Sequence, residues 1–170
     1  MPDTLAHGLA VVFCGTAASL ASARATAYYA HPGNRFWRAL HEAGFTSCQF
    51  APADFRNLLE LGIGLTDLCK RSAGNDSDII ITPGDVVALR NKLCHYQPKL
   101  AAFTSKTAWR IFSSQPAGKP AAYGWQAETI GQTRCFVLPS PSGSARRYWD
   151  ITPWQALAAA YKRLLGAAAC

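Results

Sequence analysis

The chain has 170 residues, of which 49 % are hydrophobic and 16 % charged, and it carries a formal net charge of +7. This is the length of one domain, with enough apolar material for a core, which excludes an intrinsically disordered chain. No apolar run approaches the ~20 residues of a membrane span, which excludes an integral membrane protein.

Leu9–Cys14 is a valine-rich apolar run that stops at Gly15 and reads as a buried strand. Residues 15–33 are rich in Gly, Ala, Ser and Thr and read as a long loop, a feature that in a compact domain is usually functional. Asn34 is placed to cap a helix running through Trp37, Leu40 and His41 to Gly44, and Asp54 to cap another with Leu58, Leu59 and Leu61 on its apolar face. Residues 62–85 read as irregular. Asp85–Tyr96 reads as a helix, with Val86, Leu89 and Leu93 at three-to-four spacing and Pro98 ending it. Lys99–Thr104 reads as a second strand, and Ser105 as the cap of a helix carrying Ala108, Trp109 and Phe112. Gln115–Gln126 is a Pro/Gly-rich excursion, Arg134–Leu138 a third strand, and Thr152 and Pro153 open a last helix that Gly166 stops.

Short apolar strands alternating with helices imply an α/β fold: a mostly parallel central sheet covered on both faces, in one domain spanning residues 1–170. Ligands of such sheets bind beyond the carboxyl ends of the strands. Two strands end there in small-residue loops, Gly15–Ser22 and Pro139–Ala145, which at one sheet edge would line a single cleft.

Charge and cysteine usage narrow the function. Residues 1–85 hold 6 basic and 8 acidic side chains, whereas residues 86–170 hold 11 basic and 2 acidic ones. Solubility explains such an imbalance as well as a face for phosphates does. The six cysteines include no C-x-x-C pair and no zinc-finger spacing, so neither a metal nor a disulfide framework is expected. Reduced thiols, and an N-terminal apolar run preceded by Asp3 and no Lys or Arg, point to a cytoplasmic protein.

The stretch VFCGTAASLASARATAYYAHPGNRFWRALHEAGFT (residues 12–46) resembles the first motif of the mismatch-specific uracil-DNA and thymine-DNA glycosylases. VLPSPSGSARRYW (137–149) resembles their second motif, typically LPNPSG, and YQPKLAAFTSK (96–106) the strand between them. The resemblance implies a three-layer α/β/α sandwich of the uracil-DNA glycosylase type. It implies a monofunctional enzyme that flips a deaminated base, uracil first among candidates, out of DNA and hydrolyses its N-glycosidic bond. The partner is DNA, duplex or single-stranded, with a nucleoid-associated monomer and no cofactor expected. By carry-over, Gly15, Thr16 and Ala17 present backbone N–H groups to the leaving base, Tyr29 stacks on it and Asn34 lies close to it. Ser140, Ser142, Gly143, Ser144 and Ala145 form the loop entering the duplex, with Arg146, Arg147 and Ser22 set to meet phosphates.

One departure matters. The common first motif is G-I-N-P-G, whose Asn positions water; here Ala17 stands in its place. A branch lacking that Asn takes an aspartate from a Ser/Ala-Gly-x-Asp segment, which maps onto Asp76 in GIGLTDLCKRSAGNDSD. Asp67 in the same stretch is the second candidate. Either carboxylate can orient and deprotonate water. The rival readings are a glycosylase for another lesion such as hypoxanthine, a DNA-binding module without catalysis, and an α/β small-molecule hydrolase. The last lacks G-x-S-x-G, a P-loop and G-x-G-x-x-G.

Overall fold

The computed structural model describes residues 1–74, 79–113 and 121–168. Five strands form one sheet in the order β2-β1-β3-β5-β4. They are β1 (Val11–Ala18), β2 (Ile63–Ala73), β3 (Leu100–Phe103), β4 (Gly124–Ile130) and β5 (Thr133–Val137). The first four in that order run parallel, and β4 pairs antiparallel with β5 at the edge. Helices α1 (Leu20–Ala25), α2 (Phe36–Ala43), α3 (Pro83–Tyr96), α4 (Lys106–Ser113) and α5 (Thr152–Ala168) flank the sheet, with 3-10 turns at Pro52–Leu61 and Gly143–Tyr148. This is the expected α/β/α architecture.

The strand period of two splits the core cleanly. Val11 and Phe13 of β1 join Ile63, Leu65, Leu100, Ala102 and Phe136 under α2 and α5. Val12 and Cys14 join Ala101, Phe103, Cys135 and Val137 under α3 and α4. Both faces are buried, so the central strands read as unbroken apolar runs rather than alternating ones.

Four elements differ from the sequence reading. The loop expected over residues 15–33 begins as strand, because β1 continues to Ala18, and then forms α1, whose first turn is capped by Ser19 Oγ accepting from Ser22 N–H at 3.1 Å. The stretch 62–85, read as irregular, contains the eleven-residue strand β2. Thr66 and Asp67 interrupt its apolar pattern, yet both are buried. β4 falls partly in the Pro/Gly-rich excursion; its exposed and covered residues alternate, as suits an edge strand with one wet face. Finally, α5 runs past Gly166 to Ala168. The caps at Asn34 and Ser105 are present: Asn34 Oδ1 accepts from Phe36 N–H at 2.9 Å, and Ser105 Oγ from Ala108 N–H at 2.9 Å. No described helix is long and apolar enough to cross a membrane.

Candidate functional site

β1 outlasts its neighbour β3. Their pairing ends at Cys14 with Phe103, and Thr104 N–H then closes onto the Cys14 carbonyl at 3.0 Å before the chain turns into α4. Since N–H and C=O of alternate residues point to alternate sides of a strand, Thr16 turns its backbone polar groups toward the side that β3 has left. Thr16 N–H is thus aimed into a notch at the carboxyl end of the sheet.

A cavity of about 160 Å³ fills that notch. Gly15, Thr16 and Ala17 form one wall, Tyr29 and Asn34 a second, and Ser140, Pro141, Ser142 and Ser144 a third; Asp67, Thr104 and Ser105 also line it. The structure therefore brings together the two small-residue loops singled out from the sequence. Gly143 and Ala145 belong to the same turn as Ser144. Arg146 and Arg147 follow it and are exposed. Ser22 is only 2 % exposed, and its hydroxyl accepts from Ala30 N–H at 3.0 Å and from Ser19 Oγ at 3.0 Å. It fixes the α1 loop and also lines the cavity. Asp76 lies outside the described residues.

Among the described residues, Asp67 is the carboxylate that lines the cavity. It is 3 % exposed, and β1–β2 pairing sets it directly opposite Gly15. Its Oδ2 is buried without a hydrogen-bond partner, 3.6 Å from Lys70 Nζ. Burial pushes the Asp67 carboxyl up to about 6, with Lys70 opposing and Asp3 reinforcing the shift. Lys70 in turn donates to Tyr28 Oη at 2.9 Å and pairs with Asp3 at 2.9 Å. Asp3 also pairs with Lys92 at 2.6 Å and accepts from Thr66 Oγ1 at 2.7 Å. Burial alone would raise the Asp3 carboxyl, but the hydrogen bonds from Lys70, Lys92 and Thr66 hold it below its ordinary value. Sequence reasoning gave Asp3 no role at the site and did not single out Lys70. The network joins residues about sixty positions apart, and no local pattern signals it.

Tyr29 presents a flat wall. Its ring stacks on Phe36 with centroids 3.8 Å apart and planes at 15°. Its backbone sits at φ +52°, in the left-handed region that side chains seldom adopt. Its hydroxyl is buried without a hydrogen-bond partner, and burial, then the charge of Asp67, push the phenol above its ordinary range.

The two outer walls are tied to each other. Arg35 N–H donates to the Pro141 carbonyl at 2.8 Å. A side chain at Gly143 would begin 3.0 Å from the Gly33 carbonyl oxygen, a tight contact that the Gly33 backbone would have to yield to by a few tenths of an ångström. Among the described residues, no three of His, Cys, Asp and Glu gather in a way that would hold a metal ion.

A family model described as "Uracil DNA glycosylase superfamily" matches residues 2–164. The solution NMR structure of a proposed uracil DNA glycosylase from Methanosarcina acetivorans superposes with a TM-score of 0.65 at 24 % identity, covering 96 % of each chain. That likeness is one of fold.

Proposed function

The chain belongs to the uracil DNA glycosylase superfamily, and from that premise we propose that it is a monofunctional DNA glycosylase of the mismatch-specific branch that removes a deaminated base, uracil foremost, with Asp67 in the place of the missing first-motif Asn. The observation that carries this reading is the buried Asp67 carboxylate, with one oxygen unpartnered, lining a cavity walled by the Tyr29 ring and by Gly15, Thr16 and Ala17 at the end of β1.

The chemistry follows from the geometry. A base inside a duplex is out of reach, so it is extruded into the notch and laid on the Tyr29 ring. As the C1′–N bond breaks, its electron pair leaves with the base and positive charge develops on the sugar. Thr16 N–H meets the carbonyl oxygen that gains the negative charge. Asp67 opposes the positive sugar and orients a water, whose oxygen bonds to C1′ while its proton passes to the carboxylate. A carboxyl raised to about 6 remains mostly ionised at neutral pH and is more basic than an ordinary one, which suits a general base.

The test is single-turnover excision from DNA carrying uracil, mismatched thymine or hypoxanthine, with wild type, Asp67→Asn and Asp76→Ala. The expected result is uracil release by wild type, a loss of ~100-fold or more in Asp67→Asn, and near wild-type rates in Asp76→Ala. The reverse ranking moves the role to Asp76. Release of hypoxanthine alone changes the substrate. Salt-dependent binding with no release of any base makes the chain a lesion-binding module.

A further inference from the structure

The turn that resembles a duplex-entering loop carries a small residue, Ser144, at its cavity-facing position. A large one follows at its end: Tyr148 is 70 % exposed and leaves its ring free to meet a ligand. Tyr123, just before β4, has its phenol pushed up by burial and then by Tyr148 and Asp150. Lys106 Nζ stands 4.0 Å from the centre of the Tyr123 ring. Lys106 opens α4 directly after Ser105, a cavity residue, so this cluster begins at the mouth of the notch. Arg146 and Arg147 precede Tyr148 and are exposed. The acid of this neighbourhood, Asp150, is engaged: its Oδ1 accepts from Thr152 N–H at 2.8 Å. Rings interleaved with cations are what a nucleic-acid strand needs, since bases stack on rings while phosphates meet Lys and Arg.

We propose that Tyr148 is a stacking post for the nucleotide adjoining the extruded base, and that Lys106, Arg146 and Arg147 hold the phosphates of that strand beside it. The proposal deepens the glycosylase reading and rests on it for the position of the extruded base. It gives the turn the flat apolar contact that Ser144 lacks. It also extends the DNA-contacting surface from the second-motif loop to α4 and the segment before β4. Because the post faces one strand, it serves single-stranded DNA as well as duplex.

The test is fluorescence anisotropy with a labelled single strand carrying a central tetrahydrofuran abasic analogue, using wild type, Tyr148→Ala, Tyr148→Trp and Lys106→Gln. Thermal melting of the same preparations checks the fold, which an exposed side chain should not affect. Tyr148→Ala is expected to weaken binding about 10-fold or more, on the scale of one lost base–ring stack. Tyr148→Trp is expected to bind as wild type. Lys106→Gln is expected to lower the slope of log affinity against log salt by about 0.7, the share of one phosphate on a single strand. The proposal is overturned if wild type does not bind the strand, if Tyr148→Ala binds within about twofold of wild type, or if Trp fails as badly as Ala. Uracil excision by the same wild-type preparation separates the two readings: release of uracil with unchanged Tyr148→Ala binding sinks only the stacking post. Tyr148-dependent binding without release of any base sinks only the glycosylase reading.

Discussion

Gly15 and Asp67 face each other across the β1–β2 ladder, and the absence of a side chain on the first is what gives the second its place. A Cβ at Gly15 would lie 2.4 Å from Asp67 Oδ1 and 3.3 Å from Tyr29 Oη. Gly15→Ala is therefore expected to displace the carboxylate and slow single-turnover excision by ~10-fold or more, the scale of a misplaced catalytic group. A wild-type rate in Gly15→Ala would show that the carboxylate position is not critical.

In its proposed role Asp67 has a stability signature as well as a catalytic one. Its carboxyl titrates near 6 in the fold against 3.8 as its ordinary value. The folded chain thus holds the proton more tightly than the unfolded one. Folding is penalised above pH 6, and the penalty disappears as pH falls toward 4. Asp67→Asn removes the charge and should raise stability at pH 7 by about 2–3 kcal/mol, while excision collapses. The gain should vanish near pH 4, as denaturant melts at the two pH values would show. In wild type, excision should decline as pH drops below about 6, because protonated Asp67 accepts no proton.

The Tyr29 hydroxyl and the Tyr29 ring separate in the same way. Tyr29→Phe removes a buried, unpartnered hydroxyl. It should raise stability by up to about 1 kcal/mol and leave excision within a few-fold of wild type. Tyr29→Leu keeps bulk but loses the flat face, and should slow excision about 10-fold or more. Equal loss in both variants would assign the role to the hydroxyl.

Asp85 fastens α3 to the end of β2. Its Oδ2 accepts from Thr82 N–H at 2.8 Å and from Arg71 Nη2 at 2.6 Å. The Arg71 guanidinium, then the Thr82 donors, hold its carboxyl far below the ordinary value. The stabilisation is complete above about pH 4 and is lost as pH falls further. Asp85→Ala should cost about 1–2 kcal/mol at neutral pH, with the difference shrinking in acid. A neutral melt unchanged by the substitution would refute this.

The sequence carried the sheet's centre and the two small-residue segments at the cavity, though it read the first as loop where β1 ends and α1 begins, because each rests on a local signal: an apolar run ending in glycine, or a cluster of Ser, Pro and Gly. It concealed β2 because Thr66 and Asp67 break the apolar pattern where the strand leaves the core and enters the site. It concealed β4 because an edge strand mixes Gln, Glu and Thr with its covered residues. Asp67 was in view as one of two candidate acids. What singles it out is burial opposite Gly15, a long-range property of strand register. Lys70 and Asp3 were invisible for the same reason, since each becomes meaningful only through contacts far away in the chain.

The tie between Arg35 N–H and the Pro141 carbonyl, reinforced where Gly33 and Gly143 touch, makes a slot of set width from two loops a hundred residues apart. In the proposed reading, a slot held this way leaves the work of delivery to the DNA. Selection then begins before any protein contact with the base, in the ease with which each pair comes apart. Uracil in a mismatch or a single strand reaches the slot at less cost than uracil paired with adenine. In the proposed glycosylase, the preference for the opposite base would accordingly be set largely by the helix being searched, with the tied loops only receiving what that helix releases.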